Sequence, residues 1–189
     1  NFFSELVSYC KLCSEDNVGT IAPFQFDFSL LDLGLAFGSG ARLTILPQEL
    51  VYKPKRLISQ LNKHRVTHLD SVPSVWSIII KHAVKDIKTL QSLKSILFAG
   101  EKFPLKNLKI LQSELGKLKV INCFGQSESI ACSFYTLPNP LPKGLDNLPF
   151  GYCFNNTEYY IINEKDEEII KPFKSGELII NNDALFNGY

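Results

Sequence analysis

Methionine is absent from all 189 residues. Translation starts with one, so the sequence reads as an internal segment of a longer chain. An excess of either charge is missing too: 20 Lys and Arg face 19 Asp and Glu, leaving a net charge of +1. With both signs scattered there is no electrostatic footprint for nucleic acid or for an anionic membrane surface. No apolar run approaches the roughly 20 residues that a membrane-spanning helix requires. The opening Asn1-Phe2-Phe3-Ser4-Glu5 lacks a basic start, an apolar stretch and a small-residue cleavage site, so it does not read as a signal peptide. Cysteine is sparse, and its count of five is odd in a chain long enough to bury a core without staples. That excludes a disulfide scaffold and predicts reduced thiols in a cytoplasmic setting. Internal repeats and low-complexity stretches are lacking as well.

Hydrophobic residues make up 45% of the chain, enough for one domain or two small subdomains. Phe2, Phe3, Leu6, Val7, Cys10 and Cys13 recur at helical spacing and predict an amphipathic opening helix. Val18 to Pro23 reads as a buried strand and Leu30 to Phe37 as a helix. Gly38-Ser39-Gly40 then turns the chain into a strand at Ala41 to Leu46. Pro54 suits a first helical turn and opens a helix to His64. Strands at Val66 to Leu69, Ser95 to Phe98 and Leu118 to Cys123 alternate with helices from Pro73 to Val84 and from Pro104 to Leu115. Such alternation predicts an α/β fold, a mostly parallel sheet with crossover helices.

After Leu137 the texture changes. Pro138, Pro140, Pro142, Gly144 and Pro149 crowd one stretch. Beyond it, Thr157 to Ile162, Glu168 to Ile170 and Glu177 to Ile180 read as short antiparallel strands. The expected organisation is an α/β subdomain over residues 1–137, followed by the start of a small β-rich, barrel-like subdomain over residues 138–189.

Several features resemble functional motifs but carry little. Cys10 and Cys13 form a lone CxxC with no second Cys or His pair at ligand spacing; both fall on the apolar stripe of the opening helix, which predicts core packing. Gly38 and Gly40 end a helix instead of following a strand, so they mark a turn and not a dinucleotide fingerprint. His64, His68 and His82 have no Ser or Cys elbow nearby, and His68 on a strand reads as a core histidine.

Three segments carry more. Phe26-Asp27-Phe28-Ser29 places a carboxylate between two phenylalanines after a strand, which is costly unless it faces a cation or donors. By itself Asp27 is more often a helix cap. Asn122-Cys123-Phe124-Gly125-Gln126-Ser127-Glu128 is a polar, Gly-containing segment directly after a strand, where open α/β sheets bind ligands. Ser175-Gly176-Glu177-Leu178-Ile179-Ile180 reads as a strand with turn punctuation, ending eight residues later in Gly188-Tyr189.

Taken in order, these segments resemble the FDxS, N-x-Y-G-x-T-E and G-E-L-x-I motifs of the adenylate-forming superfamily. It includes acyl-CoA synthetases, peptide-synthetase adenylation domains and D-alanine–D-alanyl carrier protein ligases. Between the first two motifs, Val72-Pro73-Ser74 and Ile96-Leu97-Phe98-Ala99-Gly100-Glu101 are similar to the family's helix-opening step and its apolar strand ending in small residues. The D-alanine branch is the nearest in texture, through Ala22-Pro23-Phe24, Asp32 and Leu148-Pro149-Phe150-Gly151-Tyr152-Cys153.

The resemblance implies ATP and Mg²⁺ as cofactors and assigns roles by position. Glu128 matches the glutamate that helps hold Mg²⁺, and Ser127 the hydroxyl donor to the α-phosphate; these two are the implied catalytic positions. Phe124 stands where tyrosine stacks on adenine, Asn122 matches the residue that reads the adenine amino group, and Gly125 belongs to the same turn. Gly100, Glu101 and Lys102 match the stretch on the adenine's other side. Gln126 replaces a common proline. Asp27 matches the aspartate that pairs with a substrate α-ammonium in the amino-acid branches. Phe28, Leu31, Ser71, Leu97, Ala99, Cys123, Ala131 and Cys132 are the implied pocket wall, small or apolar, so the side chain bound is expected to be uncharged and modest in size. The implied partners are an amino acid and a carrier protein whose phosphopantetheine thiol accepts the acyl group. The family's phosphate loop, its T-G-D motif and its small domain with a catalytic lysine have no counterpart in these 189 residues, so the segment is expected to be inactive alone. Two alternatives stay open: a fragment of an acyl- or aryl-CoA ligase, and a degenerate binding module without turnover.

Overall fold

A computed structural model describes residues 2–154 and 156–188. Asn1, Asn155 and Tyr189, the last being half of the closing Gly-Tyr pair, lie outside the described residues. The chain begins with α1 (Phe2–Cys10), β1 (Asn17–Thr20), α2 (Phe28–Ser39) and β2 (Arg42–Ile45). A 3₁₀ turn at Gln48–Tyr52 leads into α3 (Pro54–Lys63), β3 (His68–Asp70), α4 (Pro73–Ile87), β4 (Ser95–Phe98), α5 (Leu105–Glu114) and β5 (Lys119–Gln126). Then come β6 (Ile130–Thr136), β7 (Tyr152–Cys153), β8 (Glu158–Ile162) and β9 (Glu177–Asn181).

Seven strands form one sheet in the order β2-β1-β3-β4-β5-β6-β7. The first five are parallel, and β6 and β7 are added antiparallel at one edge. The expected mostly parallel α/β sheet is therefore present. Strand side chains alternate between two cores, as the pleat requires. Ile96, Phe98 and Val120 pack on one face with Leu57, Trp76 and Leu108 of α3, α4 and α5. Leu97, Ile121 and Cys123 pack on the other with Leu6 of α1 and with Leu31 and Leu35 of α2. β8 and β9 pair antiparallel in a separate small sheet. β7 joins the large sheet although it lies beyond the proline-rich stretch.

Four sequence expectations need correction. The strand expected to reach Pro23 stops at Thr20, because only Asn17 to Thr20 find ladder partners. The strand expected to end at Cys123 runs on through the polar segment: Phe124 to Gln126 also pair with β6, with a register shift between Phe124 and Gly125. A strand expected at Glu168 to Ile170 amounts to one bridge between Ile162 and Glu168. Cys13 lies beyond the end of α1 and is exposed, because the chain leaves the helix at Lys11 with φ of 59°; only Cys10 is in the core.

Candidate active site

The chain runs from β1 to β2 on one side, then crosses back to β3 on the other. Connections leaving β1 and β3 thus part in opposite directions, opening a crevice at the strands' carboxyl ends where α/β sheets bind ligands. A cavity of about 500 Å³ occupies that place. Ile21 to Pro23 and Phe26 to Phe28 wall it from the end of β1, Ser71 and Val72 from the end of β3, Ala99 and Gly100 from the end of β4, and Cys123 with Gly125 to Ser127 from β5.

Asp27 stands at the N-terminus of α2, half-buried, on the cavity wall. Its side chain makes no capping hydrogen bond. Instead Ser127 Oγ donates to Asp27 Oδ1 at 3.2 Å, joining two segments a hundred residues apart. The capping alternative for Asp27 is therefore not what the fold uses. The carboxylate is turned toward the cavity, where it can meet a cation.

Ser127 and Glu128 occupy the tip of the β5–β6 hairpin, since Gln126 and Ile130 are the last paired residues. Ile130, which lines the cavity, has φ of 52°. A β-branched residue seldom takes that conformation, and such strain collects at functional turns. The Glu128 carbonyl accepts the Phe186 N–H at 2.7 Å, tethering the hairpin to the chain after β9. A Cβ on Gly125 would lie 2.1 Å from the Ile130 carbonyl oxygen. Gly125→Ala should therefore push β5 and β6 apart and cost about 1–3 kcal/mol, read as a lower urea midpoint at unchanged slope.

Ten of the residues picked from sequence line the cavity: Asp27, Phe28, Leu31, Ser71, Ala99, Gly100, Cys123, Gly125, Ser127 and Ala131. Leu97 and Cys132 do not. Both are fully buried behind the wall, Leu97 in the core with Ile121 and Cys132 against the Ser129 hydroxyl at 3.0 Å. Glu101 accepts from Ser74 Oγ at 3.0 Å, and Lys102 Nζ donates to Asn147 Oδ1 at 2.6 Å, both at the surface. Asn122 donates to the Pro149 carbonyl at 2.7 Å. The Phe124 ring is stacked on Phe150, with centroids 4.2 Å apart and planes 14° apart, so one of its faces is covered.

The sequence reading missed the wall formed by Gln48, Val51 and Tyr52. These residues follow β2, so the same strand-end rule pointed to them. Burial and then Asp70 push the Cys123 thiol well above its ordinary range, which makes it an apolar wall residue and no nucleophile. Among the described residues no group of three or more His, Cys, Asp or Glu could hold a metal by itself. Mg²⁺ commonly needs only one or two carboxylates beside substrate phosphates, so one carboxylate, that of Glu128 at the hairpin tip, is enough for that role. No helix among the described residues is long and apolar enough to cross a membrane.

Comparison with known proteins agrees with this geometry. The L-proline–[L-prolyl-carrier protein] ligase of Pseudomonas fluorescens is 27% identical over 170 residues, covering 89% of this chain and 34% of that protein. The D-alanine–D-alanyl carrier protein ligase of Bacillus cytotoxicus is 26% identical over 192 residues, covering 97% and 38%. The chain thus spans little more than a third of these relatives. The crystal structure of IdnL1 superposes with a TM-score of 0.94 at 35% identity, covering 100% of this chain and 39% of that one. The sequence profile of the AMP-binding enzymes matches residues 1–189 from end to end, and the chain belongs to that family.

Proposed function

We propose that this chain is the central part of the large domain of an ATP-dependent ligase that activates an amino acid as its adenylate, and that the whole protein passes the acyl group to a carrier-protein thiol. The observation that carries the reading is Asp27: a carboxylate on the cavity wall, uncapped by its own helix and held by Ser127. An anion there suits an α-ammonium, and acyl or aryl acids have no use for it. Both curated relatives named above are carrier-protein ligases of amino acids by name, which supports the same substrate class and partner.

In this reading the substrate ammonium pairs with Asp27, and its side chain rests on Leu31, Ser71, Ala99, Cys123 and Ala131, an uncharged lining that favours an uncharged side chain of modest size. Its carboxylate then points toward the hairpin tip. Attack of that carboxylate on the α-phosphorus of ATP forms the mixed anhydride and releases pyrophosphate. Once the ammonium pairs with Asp27, the Ser127 hydroxyl is released to donate to the α-phosphate, and Phe124, with Phe150 stacked on it and Tyr159 edge-on beside it, supplies an aromatic surface for adenine. In this reading Asn122, whose amide nitrogen donates to the Pro149 carbonyl, would accept from the adenine amino group through its Oδ1, with Gly100, Glu101 and Lys102 on the opposite side. Glu128 would hold Mg²⁺, which neutralises phosphate charge when bound. The five cysteines, all free, support a reducing cytoplasmic setting.

The test is amino-acid-dependent ATP–pyrophosphate exchange by the full-length protein that contains this chain. Exchange with a small neutral amino acid is expected; exchange only with fatty or aryl acids would overturn the reading. The 189 residues alone should give no exchange, because positioning and phosphate clamping supply most of the rate in such chemistry and this segment spans about a third of its relatives. Exchange by the isolated segment would show that it carries the whole catalytic apparatus.

A further inference from the structure

Next to the cavity wall along the chain lies a buried polar cluster that the proposed chemistry does not use. Asp32 of α2, with His68 and Asp70 of β3, shows no solvent exposure at all. His68 Nε2 lies 2.6 Å from Asp70 Oδ1, and the other ring nitrogen contacts Ser95 Oγ of β4. Neither oxygen of Asp32 has a donor in full hydrogen-bonding geometry. Two of its members adjoin the cavity wall in sequence: Asp32 follows Leu31, and Asp70 precedes Ser71.

Asp32 and Asp70 are both fully buried, and no oxygen of either has a hydrogen-bond donor in full geometry, so the two carboxyls cannot both stay ionised. One proton between them resolves the conflict, turning two acceptors into a donor and an acceptor. We propose that Asp32 is kept as the neutral acid, donating to the Asp70 carboxylate, and that this bond ties α2 to β3 under the cavity and sets Asp27 and Ser71 at their working separation. Asp32 is then a positioning residue for the amino-acid pocket, a role that rests on the reading of that cavity given above. Burial, and after it the Asp70 carboxylate, raise the Asp32 carboxyl well above the usual carboxylate range, while nearby Thr20 lowers it in part. The other titratable groups around the pair are His68, Cys10 of α1 and Cys123 of β5. Burial first, and then Asp70, raise both thiols, which keeps them neutral.

An acid raised in the folded state keeps its proton where the unfolded chain has lost it. Folding then takes up a proton, and stability falls as pH rises from the ordinary carboxylate range until the folded group ionises. Asp32→Asn keeps a donor toward Asp70 and has no proton to lose. In the full-length protein, the melting temperature of Asp32→Asn minus that of the wild type should grow by about 4 °C or more between about pH 5 and about pH 9. A difference that stays flat with pH would overturn the neutral acid. The positioning role is read separately, by pyrophosphate exchange with glycine, D-alanine and L-proline. Asp32→Leu, which cuts the tie, should raise KM for the accepted amino acid about tenfold with KM for ATP within about twofold, and Asp32→Asn should restore both. Equal rises in both KM values, or no rise in either, would overturn that role. If the wild type accepts none of these amino acids, the functional reading fails, and the pH series alone decides the proton.

Discussion

Replacing Asp27 by alanine in the full-length protein should lower kcat/KM for a small neutral amino acid by a few hundredfold or more, and scarcely affect a des-amino analogue of the same acid. A cation left without its partner in a partly dry pocket costs on the order of 3–5 kcal/mol, which corresponds to at least that factor in the specificity constant. The analogue brings no ammonium, so its transition state loses nothing when the carboxylate is removed. Asp27 makes no capping hydrogen bond, so its replacement should also leave the stability of α2 nearly unchanged. The measurement is pyrophosphate exchange by wild type and variant with paired amino and des-amino acids. Equal losses for the two kinds of acid would return the acyl or aryl ligase to first place.

Glu128→Gln should depress kcat on the order of a hundredfold while the fold survives. Its site at the hairpin tip is set by backbone: the pairing of Gln126 with Ile130 and the contact between the Glu128 carbonyl and the Phe186 N–H both persist in the amide. What changes is the charge offered to the cation, and a neutral amide is a poor Mg²⁺ ligand. Loss of one preorganised electrostatic contact in such sites costs about 10²–10³ in turnover. Turnover is to be followed across magnesium concentrations, with circular dichroism and melting temperature as checks on folding. Wild-type turnover at every magnesium concentration would remove Glu128 from the site.

Much of this could be read from residue order. Pro54 and Pro73 opened helices where the structure begins them, and the Ser95 to Phe98 run is a strand at those bounds. Local periodicity suffices there because each element is stabilised by its own apolar face. The family resemblance also named most of the cavity wall, and a parallel sheet puts the loops after β1, β3 and β4 at one edge. Other features escaped. β6 follows a strained turn at Ile130, and its pairing keeps Phe124 to Gln126 in strand beyond the expected end at Cys123. A strand's extent is decided by the neighbour that satisfies its N–H and C=O groups, and periodicity does not name the neighbour.

Sequence by itself determined the alternating α/β order, the polar turn that carries Ser127 and Glu128, and the carboxylate at Asp27, because each depends on residues close together in the chain. Only the tertiary structure decided that Asp27 meets Ser127 instead of capping α2, that Leu97 and Cys132 sit behind the wall while Val51 and Tyr52 line it, and that Asp32 and Asp70 are both fully buried. Those outcomes join residues as much as a hundred positions apart. Which face a side chain turns to water, and which distant group it meets there, is settled by how the layers pack and not by the spacing along the chain.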